Sequence, residues 1–134
     1  MDRLFLDANI LVSAALKPES RLAGLWMLAE VRLLASPHVV AEARRNVREP
    51  EAASRLAALL GAVAVLPSEP AEFEIAGCPP LLEKDRPVLL GAIVANADYL
   101  LTGDMTHFRE CFGKRLGGVL VVLPREYLRQ RAGP

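Results

Sequence analysis

Two aspartates stand where short apolar runs end. Asp7 follows Leu4-Phe5-Leu6, and Asp104 follows Tyr99-Leu100-Leu101 by way of Thr102-Gly103. Runs of this length and composition read as buried strands, so each acid leaves the core and enters a turn. In open parallel sheets, ligands bind outside the carboxyl ends of strands, where connections diverge from the sheet centre. If the two strands are neighbours, the two carboxylates converge. Asp85, at the start of an apolar helix, and Glu42, on the flank of another, would bring two more acids to that edge. Four carboxylates in one pocket cannot all ionise without compensation, and Mg²⁺ or Mn²⁺ supplies it through oxygen ligation. Such ions activate a water for in-line attack on phosphorus and stabilise the departing oxygen, so phosphodiester hydrolysis is the natural chemistry. His107 can protonate a leaving group or touch phosphate, and Asn9 and Thr102 can orient ligands or waters.

Each of these residues also has a plainer reading. Asp85, before Arg86-Pro87, has the place of a helix N-cap. Asp7 can bond local turn amides, and Glu42 can be a solvated helical acid. His107 can be a packed or surface histidine, Asp98 belongs to a turn, and Arg44, Arg45 and Arg48 form a soluble helix face. Taken singly, none of them establishes an enzyme.

The elements that must position these groups alternate. Residues 3–6 read as a strand, with Asn9 capping a helix over 10–16 that Pro18 ends. Ser20 caps a second helical pattern through Glu30, followed by a strand over 32–35. Ser36-Pro37 opens a helix through about Arg48, with Val39, Val40, Ala43 and Val47 on one stripe. A further helix over 50–60, a strand over 62–66 and a Pro- and Glu-rich connection over 67–84 come next. Asp85 begins an apolar helix that leads to the strand 99–101, and a short helix is expected from Thr106. Gly117-Gly118, a strand over 119–122 and an Arg-rich helix opened by Pro124 close the chain. Parallel strands need crossovers and bury both faces. The pattern therefore predicts an α/β fold of three layers, α/β/α, around a central, mostly parallel sheet of about five strands.

Bulk properties narrow the setting. A chain of 134 residues, 52% hydrophobic, is sized for one domain with one core, so a single domain over 1–134 is expected. Sixteen basic residues balance sixteen acidic ones, which excludes a general positive field; any RNA contact must rest on local patches. Cys78 and Cys111 lack the spacing of a zinc site or a disulfide framework and read as reduced core thiols. The apolar runs fall short of a membrane span, and a cytoplasmic protein is expected.

The motifs together have a familiar form. Phe5-Leu6-Asp7-Ala8-Asn9-Ile10-Leu11-Val12-Ser13 resembles the opening motif of PIN domains, and Tyr99-Leu100-Leu101-Thr102-Gly103-Asp104 resembles their later Thr-Gly-Asp motif. The segment from Lys84 to Leu89 is similar to the acidic stretch before the family's helix, and Val40-Ala41-Glu42 to its glutamate position. The resemblance runs from residue 3 to about Leu128. It implies a Rossmann-like nuclease domain in which Asp7, Glu42, Asp85 and Asp104 form the catalytic, metal-binding acid set acting on RNA. Many small prokaryotic members are toxins of toxin–antitoxin pairs, of the VapC type, often homodimers inhibited by an antitoxin that enters the active site. The resemblance thus implies an RNA substrate, an antitoxin partner and a homodimer. The Asp-Arg-Pro sequence at 85–87 departs from the common toxin pattern.

Two other readings compete. A non-catalytic PIN-like module binding RNA or protein would carry a broken acid set, whereas all four positions are filled here. An Asp-based phosphotransfer domain also places an Asp after a central strand. Asp7-Ala8-Asn9 lacks the second acid of haloacid dehalogenase-like domains, and no downstream Lys is placed as in receiver domains.

Overall fold

The structure, a computed structural model, describes residues 1–132. Its strands are β1 (Asp2–Leu6), β2 (Val31–Ala35), β3 (Val63–Val65), β4 (Tyr99–Leu101), β5 (Arg115–Leu116) and β6 (Val119–Val122). The helices are α1 (Ala8–Leu16), α2 (Pro37–Asn46), α3 (Pro50–Leu60), α4 (Arg86–Val94) and α5 (Pro124–Ala132). One sheet contains all six strands in the order β3-β2-β1-β4-β6-β5, parallel throughout except for the β5–β6 pair. After β1 the chain builds outward through β2 and β3, then returns to place β4 on the other side of β1. The strand order therefore reverses between β1 and β4, which makes their carboxyl ends the switch point of the sheet.

Successive side chains of a strand point to opposite faces. Leu4, Phe5 and Leu6 of β1 are nevertheless all fully buried, as are Leu100 and Leu101 of β4. Both faces of the central strands are thus covered, which is the three-layer α/β arrangement expected from the apolar runs. Among the described residues, no helix is long and apolar enough to cross a membrane.

Several local expectations are corrected. The cap of α1 is Asp7, whose extended backbone (φ −73°, ψ 159°) precedes the helix and whose side chain accepts from Ala8 N; Asn9 lies inside the first turn. The helix expected over 20–30 is a six-residue 3₁₀ segment, Leu22–Met27. Gly24 weakens its middle, and the Trp26 ring nitrogen donates to the Leu59 carbonyl of α3 at 3.0 Å, so a tertiary contact fixes the segment. Ser36 caps α2 as expected, accepting from Val39 N, but that helix ends at Asn46 because Val47 is already extended.

No helix starts at Thr106. Residues 105–113 form consecutive turns, because the Asp104 carboxylate takes the amides of Thr106 and His107 for itself. Buried Phe108 and Cys111 anchor that stretch from below. The sheet has a sixth strand because Gly117 and Gly118, with φ of +56° and +87°, make a two-residue turn that folds β5 back on β6. Cys78 and Cys111 are both free.

Helix α4, which presents Asp85, packs closely on the central strand. A Cβ added at Gly91 would lie 2.9 Å from Phe5 Cζ, inside van der Waals contact with a fully buried ring. Alanine there gains about 1 kcal/mol of helix propensity, whereas overpacking a core costs about 1–3 kcal/mol. Gly91→Ala is therefore expected to lower stability by about 1 kcal/mol in urea denaturation; unchanged or increased stability would refute this close packing.

Candidate metal centre

Hydrogen bonds bind the ends of β1 and β4 into one unit. The ladder extends past the strands, with Asp7 N donating to Leu101 O at 3.0 Å and Thr102 N to Val122 O at 3.2 Å. The fully buried Thr102 hydroxyl donates to Asp7 Oδ2 at 2.8 Å and accepts from Asp104 N at 3.1 Å. Asn9 closes the same unit: its Nδ2 donates to Asp7 Oδ2 at 3.0 Å, and its Oδ1 accepts from Gly103 N at 2.8 Å. Asp98 lies at the opposite end of β4, where its carboxylate accepts from Arg3 N, far along the strand from these groups.

The four acids occupy distinct environments. Asp7 is 5% exposed, and burial pushes its carboxyl above the ordinary carboxylate range. The charge of Glu42 pushes the same way, against the hydrogen bonds from Thr102, Ala8 and Asn9. Asp104 is half-buried; its Oδ1 holds turn amides, while its Oδ2 lies 2.8 Å from His107 Nδ1. Glu42 sits half-buried on α2, and its charge raises the carboxyls of both Asp7 and Asp85.

Asp85 does not act as a capping side chain. It stands in the N-cap position of α4, yet its side chain makes no capping bond. The chain is already turning there: Asp85 N and Arg86 N both donate to Leu82 O, and Asp85 has helical angles (φ −95°, ψ −25°) where a cap is extended. The carboxylate is released toward His107, whose Nδ1 lies 3.3 Å from Asp85 Oδ2. Burial raises its carboxyl above the ordinary value, with His107 and Lys84 opposing and the charges of Asp104 and Glu42 adding.

Asp85, Asp104 and His107 each offer one ligand atom, all within 4.8 Å of one another. Asp7 and Glu42 stand outside this triad, Asp7 being joined to it through Thr102. Although the contacts are short, Asp85 Oδ2 and His107 Nδ1 are buried and neither has a hydrogen-bond partner. Such orphaned, converging donors are what a divalent cation satisfies, so the residues present fit one.

Beside Asp104 opens a groove of about 520 Å³, lined by Asn9, Ser13, Asp104, Met105 and Arg125 among others. Arg125 and Ser13 were not singled out from the sequence. Four separate segments build the groove, so no local pattern announces it; the available signal was an arginine in the first turn of the helix that follows a strand ending at the same edge.

The comparisons with known proteins agree with this architecture. Residues 3–106 match the PIN domain, and the chain belongs to that nuclease-associated family. Among solved structures, it is similar to a chain of VapBC2 from Rickettsia felis, a complex bound to a DNA fragment from their promoter. The identity is 18% and the TM-score 0.64, over 89% of this chain and 96% of that one. It is also similar to a chain of VapBC-1 from nontypeable Haemophilus influenzae, at 18% identity and a TM-score of 0.59, over 90% and 97% respectively. No curated protein matches its sequence.

The raised carboxyl of Asp85 has a sign that can be tested. A carboxyl that holds its proton more tightly when folded contributes stability below its ordinary value of 3.8, and that contribution is lost as pH rises through the raised folded value. In the presence of a chelator, Asp85→Asn should therefore gain stability relative to the parent protein between pH 4 and pH 7, read from unfolding midpoints. A variant that loses ground with rising pH would show that the buried charge is already compensated without metal.

Proposed function

We propose that the chain is a metal-dependent ribonuclease acting as a single nuclease domain, with Asp7, Glu42, Asp85 and Asp104 as its metal-binding acid set. The observation that carries this reading is the buried, unpartnered Oδ2 of Asp85 facing His107 and Asp104 at the switch point of the sheet. A buried charge without a partner is expensive and persists where a cation or substrate supplies the compensation. Membership of the PIN domain family and the carboxyl-end position of Asp7 and Asp104 support the same conclusion.

When bound, Mg²⁺ or Mn²⁺ supplies an activated water and neutralises charge on the phosphodiester oxygens. The residues of the chain divide the remaining work. Asp85 and Asp104 present free carboxylate oxygens, while Thr102 and Asn9 hold Asp7 in one orientation, each donating to its Oδ2 and Asn9 donating also to Thr102. Asp104 keeps one oxygen on the amides of its own turn, which fixes the direction of the other. The groove past Asp104 gives a single RNA strand a route to these acids, and Arg125 on its wall can meet a phosphate. Because the chain carries no net charge, this local arrangement has to supply the attraction.

The likeness to chains of two VapBC complexes supports a toxin role with an antitoxin partner, and the resemblance to VapC-type toxins carries the proposal of a homodimer in the cytoplasm.

With single-stranded RNA and Mn²⁺ or Mg²⁺, Asp7→Asn and Asp104→Asn should each cut at rates lower by roughly two orders of magnitude or more, since both remove charge from the site of a metal-assisted displacement. Equal cleavage by the parent protein and both variants would end the proposal.

A further inference from the structure

The donor set at the acid site is not all oxygen. Nδ1 of His107 lies 2.8 Å from Asp104 Oδ2 and 3.3 Å from Asp85 Oδ2. Ligands adjacent to one another on an ion with bonds of about 2.1 Å stand roughly 3 Å apart. The imidazole nitrogen therefore occupies the position of a third ligand beside the two oxygens. A simple ion pair would aim the ring N–H at a carboxylate; here neither contact is aligned as a hydrogen bond, and both Asp85 Oδ2 and His107 Nδ1 are buried without partners. Asp85 itself is only 8% exposed.

The backbone fixes this placement. The Asp104 carboxylate binds the amide of His107 at 2.8 Å and so curls the chain until the ring returns over the acid. Phe108, the next residue, is fully buried and anchors the turn.

We infer that His107 is a direct metal ligand and that the Asp85–Asp104–His107 site selects nitrogen-accepting transition ions, Mn²⁺ and Zn²⁺ among them, over Mg²⁺. The inference rests on the metal reading above and sharpens it. Mg²⁺ holds to oxygen ligands and gives up its waters reluctantly, so an imidazole in the ligand set penalises it. Transition ions accept imidazole readily. Ligation by His107 would also remove it from the role of proton donor, because its Nδ1 lone pair would be engaged.

The chain has two histidines, His38 and His107, which makes the test direct. Full-length protein labelled with ¹⁵N in its histidines, stripped by chelator, is titrated with Zn²⁺ while the ring nitrogens are followed by NMR. The Nδ1 resonance of His107 should move as the ion binds, and those of His38, on α2, should stay. In parallel, calorimetric titrations with Mn²⁺ and Mg²⁺ compare the parent protein, His107→Gln and Asp104→Asn, each checked for folding by its unfolding midpoint. The parent protein should prefer Mn²⁺ over Mg²⁺ at least tenfold, and His107→Gln should reduce that preference at least tenfold. Binding with the His107 ring unmoved, or an Mn²⁺/Mg²⁺ ratio unchanged in His107→Gln, overturns nitrogen ligation while the acid site stands if Asp104→Asn abolishes binding. Failure of all three ions to bind the parent protein overturns both readings.

Discussion

Buried negative charge without a hydrogen-bond partner is the constraint on which this structure turns. Asp85 is held in a mostly buried place near two other acids, and burial raises its carboxyl just as it raises that of Asp7. Left alone, such groups favour protonation or an open conformation. The fold holds them because the surrounding scaffold is rigid: strands buried on both faces, a helix seated against Phe5 with only a glycine between, and turns closed by side-chain hydrogen bonds. That rigidity stores an electrostatic demand, which the divalent cation of the proposed function would answer.

The scaffold meets the demand through topology. Because the strand order reverses between β1 and β4, their carboxyl ends lie side by side without any intervening connection. One buried hydroxyl, that of Thr102, touches both the Asp7 carboxylate and the Asp104 amide. It therefore transmits the position of one strand end to the other. Asp7 in turn caps α1, so strand, helix and acid share a single hinge point with no loose joint. Groups supported this way act from fixed positions, as preorganised sites require.

Much of this was legible in the sequence, and the reasons differ by residue. Asp7 and Asp104 could be placed because buried strands of a parallel sheet read as short apolar runs, and the residue after such a run has only one edge to go to. Fold class followed from the same runs. That Asp85 does not cap its helix could not be read, because its capping role is lost to backbone angles set by the turn at Leu82. His107 was read as a proton donor or phosphate contact beside the acids; the curl that brings its ring between Asp85 and Asp104 arises from an irregular turn with no periodic signature. The same absence of periodicity explains the expected helix from Thr106. The pattern over 20–30 was truly helical in spacing, but Gly24 and the tertiary bond of Trp26 shortened it to a 3₁₀ segment. A two-residue strand such as β5 is too short for alternation to show.

The most direct measurement is anomalous diffraction from crystals of the intact protein soaked in Mn²⁺ and recorded near the manganese absorption edge. The account predicts a peak at about 2.2 Å from Asp85 Oδ2 and Asp104 Oδ2, at the carboxyl ends of β1 and β4. An anomalous map with manganese elsewhere on the protein and none at that edge would contradict it.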